Sequence, residues 1–147
     1  MNQYLDDGID ELKRVDHLVF VSLKYTRTVD VVRSVIERIV SAYDFLILAI
    51  LTELKEKKKI KEIPNNPVMK CDLLKEKYKD NQEFMENIEI YLLLRKILRS
   101  NYERRQEYRR HVTMIADVEG KKIEMNIDIL SEYFEKIKNF AKLIQEV

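Results

Sequence analysis

Apolar residues recur at three- and four-residue steps through most of the chain, the period of amphipathic helices. Ile9, Leu12, Val15, Val19 and Leu23 mark a first helix. Thr26-Arg27-Thr28 interrupts it, with Thr28 suited to cap a second helix and Asp30 suited to its first turn. The second stripe runs through Val32, Val35, Ile36, Ile39, Tyr43, Leu46, Ile47, Ile50 and Leu54, and is apolar almost all round between Phe45 and Leu51. Such a helix belongs at the centre of a bundle. Its early turns are rich in β-branched residues, weak helix formers, so packing must supply most of its stability. Pro64-Asn65-Asn66-Pro67 marks a loop, placed at about 60–68. A short helix is expected over 69–79. After Asp80-Asn81 comes another, carrying Phe84, Ile88, Tyr91, Leu92, Ile97 and Leu98, which the pattern extends to about residue 110.

At His111 the period changes from helical to alternating. Val112, Met114, Ala116 and Val118 share one face of a strand, and Ile123, Met125 and Ile127 one face of the next. Gly120 lies between them, where a tight turn requires positive φ. Asp128 is expected to cap a last helix with the stripe Leu130, Tyr133, Phe134, Ile137, Phe140, Ala141 and Ile144. The fold class is therefore mainly α: a single domain, 1–147, built as a bundle of four to five helices with one C-terminal β-hairpin (about 111–127) followed by a final helix. A lone hairpin is marginal in water. It must lean on the helices or pair with another chain, so a homodimer through the hairpin or the C-terminal helix is one expectation. The other is that both elements pack back onto their own bundle.

Composition narrows the classes. A chain of 147 residues with 46% hydrophobic content can bury a core without staples. Its charged fraction, 36%, is well above the roughly 25% of ordinary soluble domains. With only two glycines and two prolines, this is the composition heat-adapted proteins tend to carry, and it points to a thermophilic source. The net charge of +1 rules out capture of nucleic acid by an overall positive field, so any anion site must come from local clustering. Cys71 is the single cysteine, which excludes an internal disulfide and a Cys-rich zinc site. No glycine-rich phosphate loop is present, and neither cofactor nor metal is expected. The acidic stretch from Met1 to Asp7 lacks the layout of a signal peptide, and the run Phe45–Leu51 falls far short of the roughly 20 residues that span a bilayer. A cytoplasmic protein without membrane contact is expected.

One segment carries candidate chemistry. From Arg95 to His111 the aliphatic residues give out after Leu98, while arginines, tyrosines and a histidine accumulate. If the helix continues, Arg104 and His111 lie seven residues apart on nearly the same face with Tyr108 between them, and Arg105 and Arg109 form an adjacent pair. A guanidinium can hold a phosphate through two parallel hydrogen bonds. A histidine beside it exchanges a proton near neutral pH. Together they make a minimal apparatus for metal-independent cleavage of RNA, with Arg104 on the scissile phosphate and His111 as the proton-transfer group. Arg95, Arg99, Arg105, Tyr108, Arg109 and Arg110 are the accompanying nucleic-acid contacts. The plain alternative is a solvated helix end in which Glu103 and Glu107 partner the arginines.

An arginine followed by a histidine after four to six residues, on a helix of a small bundle, resembles the HEPN superfamily. Arg104-x6-His111 and Arg105-x5-His111 both fit that spacing. The resemblance implies an all-helical domain, dimers whose paired motifs form a composite RNase site, and membership of toxin–antitoxin or antiviral systems. It would assign Arg104 or Arg105 to phosphate binding and His111 to catalysis. The competing expectation is a noncatalytic homo-oligomer or interaction subunit that docks on a partner protein.

Other residues invite plainer readings. The lysines between Lys55 and Lys61 suit the end of a helix. His17 with Asp16 and Asp10 reads as a surface pair, and Cys71 as a small buried hydrophobe. Tyr25, Tyr43, Tyr91 and Tyr133 are expected in the core, whereas Tyr102 and Tyr108 sit among arginines, where they could stack on bases or on those arginines.

Overall fold

The computed structural model describes residues 2–147. It is mainly helical, with a three-stranded antiparallel sheet before the C-terminal helix. The first helix, α1 (Gln3–His17), starts where the Asn2 side chain accepts the Leu5 N–H at 3.1 Å. The same Asn2 donates to the Ala49 carbonyl at 3.0 Å, tying the start of α1 to the C-terminal half of the long helix that follows. The rod continues through a π-helical turn, Leu18–Ser22, into the short α2 (Leu23–Tyr25). Thr26–Thr28 then breaks it, as the sequence predicts.

Helix α3 (Val29–Glu56) is capped by Thr28, whose hydroxyl accepts the Val31 N–H, and Asp30 occupies its first turn. Its stripe is buried from Val29 to Leu54, and α1, two later helices and the sheet all pack on it. The central position expected from its all-round apolar stretch is therefore the observed one. Helix α1 lies very close to α3 because Gly8 faces Leu46, and a Cβ at position 8 would sit 2.9 Å from Leu46 Cδ2. Buried Glu11 is neutralised by Arg14 and Arg38 on either side.

The loop after α3 leads to α4 (Pro67–Lys77), which begins two residues before the expected 69 because Asn66 caps it and Pro67 fits a first turn. Asn81 caps α5 (Gln82–Leu98). Between α3 and α5 the buried Tyr43 hydroxyl donates to Asn87 Oδ1 at 2.6 Å, and the Tyr91 hydroxyl donates to Asp44. Burial, then Asp44, holds the Tyr91 hydroxyl well above its ordinary pKa, so it remains a donor.

Helix α5 ends at Leu98, not near 110. The polar run beyond it forms an edge strand, β1 (Tyr102–Arg105), and a tight turn, because its backbone pairs with β2 (Thr113–Val118). Helix-favouring arginine and glutamate are overridden here by ladder pairing. The two-residue turn Glu119-Gly120, with φ of 53° and 82°, joins β2 to β3 (Lys121–Met125). The expected hairpin thus exists with a third strand added. Met114, Ala116, Val118 and Met125 face the bundle and are buried against it. Helix α6 (Ile127–Gln145) is capped by Asn126 rather than Asp128, and its stripe from Leu130 to Ile144 packs within this chain. Tyr43 and Tyr91 are core as expected. Tyr25 is not: two residues beyond buried Leu23 it points outward, 78% exposed. No helix among the described residues is long and apolar enough to cross a membrane.

Candidate functional site

The rearranged segment after α5 separates the residues that helical geometry would have grouped. Arg104 stands on β1, opposite Met114. Its guanidinium donates to Asp30 at 2.9 Å and to Glu107 at 3.0 Å, and lies over the Tyr102 ring at 5.7 Å. These two carboxylates hold its pKa above the ordinary arginine value. Glu107 also accepts the Val29 N–H at 3.0 Å, so it closes the amino end of α3. Arg105 pairs with Glu124 across the sheet. Arg95, half-buried on α5, stacks on Tyr91 at 5.7 Å, and Arg99 is the exposed C-cap of α5. The expected partnership of arginines with Glu107 is therefore real, though it is built on a strand and turn.

Arg110 and His111 lie elsewhere, on the wall of a cleft of about 320 Å³. Its other residues come from distant parts of the chain. Val19 and Phe20 come from the π-helical turn, Lys24 from α2, Arg27 from the break before α3, and Asn126, Ile127 and Asp128 from the start of α6. The lining combines apolar Val19, Phe20 and Ile127 with basic Lys24, Arg27, Arg110 and His111, and Asp128 is its one carboxylate. Phe20 is anchored edge-to-face on Phe134, with ring centroids 6.0 Å apart. Lys24, Arg27 and Arg110 form no ion pair with any described residue. The Arg27 Nε–H is buried without a hydrogen-bond partner among the described residues, a costly state for a cationic donor.

Two turn residues hold this wall in place. Gln106 and Tyr108 take φ of 55° and 66°, left-handed conformations that cost a non-glycine residue about 1–2 kcal/mol. The Tyr108 N–H donates to the Arg27 carbonyl at 2.6 Å, joining the turn to the cleft's opposite wall. Its ring is left 79% exposed. Arg109 is exposed on the same turn, and its carbonyl accepts the Val112 N–H at 3.0 Å. Of the sequence-predicted site residues, the cleft thus contains Arg110 and His111, with Tyr108 and Arg109 on the adjoining turn. Arg95, Arg99, Arg104 and Arg105 do not line it.

Lys24 and Arg27 were the site residues that periodicity could not find. Their signal is the short basic cluster Lys24-Tyr25-Thr26-Arg27 at a helix break, which acquires meaning only when the chain returns beside it. No group of three or more His, Cys, Asp or Glu among the described residues is placed to hold a metal ion. Comparisons of the chain with protein-family models, curated proteins and solved structures found no match.

Proposed function

We propose that this cleft binds a phosphate of single-stranded RNA, with Arg27 and Arg110 as the phosphate grip and Lys24 and His111 beside it. The observation that carries this reading is the set of cations with no carboxylate partner, including a buried Arg27 donor, around one concave surface. Exposed Tyr25 and Tyr108, beside Lys24 and Arg27, offer flat faces for unpaired bases. Nearby left-handed residues and a π-helical turn are features that concentrate at functional sites.

The HEPN-like version of the proposal adds cleavage. In it His111 moves the proton of the attacking 2′-hydroxyl or of the leaving oxygen, and Arg110 or Arg27 takes the phosphate role that Arg104, engaged by Asp30 and Glu107, does not fill. Titration of a labelled single-stranded RNA into the protein with chelator present tests both parts. Binding should weaken steeply with salt and be lost in Arg27→Ala/Arg110→Ala. Undiminished binding by that double variant defeats the proposal. Cleavage that survives in His111→Ala defeats the catalytic part alone.

A further inference from the structure

The sheet has two free edges, and they differ in what they would meet if paired with themselves. The Asp117 N–H donates to the Asn101 carbonyl at 2.9 Å, so odd-numbered residues of β2 bond toward β1. Even-numbered ones therefore bond toward β3, through Lys121, Ile123 and Met125. The backbone N–H and C=O groups of Lys122 and Glu124 consequently point away from the sheet, along its outer edge.

We infer that β3 pairs antiparallel with β3 of a second copy of this chain, centred on Ile123, to join the two three-stranded sheets into one. In that register Lys122, which pairs with Asp117 in its own chain, stands opposite the partner's Glu124, and Glu124, which pairs with Arg105 in its own chain, opposite the partner's Lys122, so that each intrachain ion pair is extended by a charge from the second copy. These are the two positions whose backbone groups are free, so hydrogen bonding and charge pairing coincide at both. Ile123 meets its own copy at the two-fold axis on the apolar side of the sheet. Beneath this edge runs a groove of about 660 Å³ whose apolar lining includes Val68, Leu92, Leu93, Val118 and Ile123. Val68 is 58% exposed there, large for an aliphatic residue on a surface helix. The second copy's edge lies along this groove and shields it.

Edge β1 offers no such match. Its outward backbone groups belong to Tyr102 and Arg104, and pairing it with itself about its centre sets Glu103 against Glu103. Like charges directly opposed keep that edge single.

Light scattering on the purified protein tests the inference, independently of any RNA activity. The wild type should have twice the 17.7 kDa mass of one chain. Glu124→Lys and Lys122→Glu should each fall to a single-chain mass with unchanged helical circular dichroism. Mixed in equal amounts, they should return to the doubled mass, because every cross-strand pair is then opposite in sign. Glu103→Lys should leave the wild-type mass unaltered. A wild type of single-chain mass, variants that stay dimeric, or a mixture that does not recombine overturns the inference.

Discussion

The ten residues from Tyr102 to His111 divide into halves of nearly the same composition and opposite condition. In the first half Arg104 is engaged by Asp30 and Glu107, which clamps the sheet to the start of α3, and Arg105 by Glu124, which ties β1 to β3. In the second half Arg110 and His111 face an open cleft beside Arg27 and Lys24, and although Asp128 also lines it, no ion pair joins that carboxylate to any of the four. Arginine content therefore does not locate a site. What distinguishes the halves is whether each base is ion-paired with an acid.

The largest effect expected from this contrast is on binding. Arg27→Ala/Arg110→Ala should weaken single-stranded RNA affinity by about a hundredfold, the equivalent of two charge-assisted contacts, while the melting temperature stays within a degree or so. Equal loss on removing Arg104 would erase the distinction between the halves. Next comes Glu107→Ala, which leaves the Thr28 cap in place but takes the acceptor from the Val29 N–H at the start of α3. It should cost about 1 kcal/mol and lower the melting temperature by about 3 °C, with RNA affinity in the folded state little changed. Calorimetry in parallel with the binding titration separates the two.

Tyr108→Gly should act in the reverse sense. A left-handed position suits glycine, so stability should hold or rise slightly, while loss of the exposed ring weakens RNA binding several-fold. A clear fall in melting temperature would mean that the ring, not the backbone, holds the turn. The smallest expected signal is a control. Burial pushes the Cys71 thiol up to about 11, and the residue has no exposed surface. At about pH 8 it should not react with thiol reagents in the wild type or in any of these variants until denaturant is added. Prompt reaction in a variant would mark its binding defect as unfolding.

Much of the architecture was legible in the pattern of apolar residues. The stripes of α1, α3, α5 and α6 are the buried ones, and Thr28, Asn81 and Gly120 do what their chemistry suggests. Strand β1 was not legible, since Tyr102-Glu103-Arg104-Arg105 has no apolar alternation and good helix formers. It is a strand because Thr113–Ala116 lies beside it, a cause four residues cannot announce. The same limit governed the site. Arg110 and His111 could be singled out by type. Their neighbours Arg27 and Lys24 come from more than 80 residues away, and their lack of acidic partners is a property of the folded surface alone.

The bond from the Val29 N–H to Glu107 has a consequence for the order in which the molecule assembles and opens. It joins positions 78 residues apart, so the amino end of α3 cannot lock until the C-terminal third of the chain has arrived. Most of the later contacts within that third are between neighbouring strands and form locally. Rupture of this one latch, together with the adjacent Tyr108 bond, would free the break at Thr26–Thr28 without disturbing the buried stripe of α3. The cleft then belongs to a small unit of low opening free energy. Amide exchange at Val29 and Tyr108 should run faster than in the middle of α3, and occupancy of the cleft should slow those two amides together.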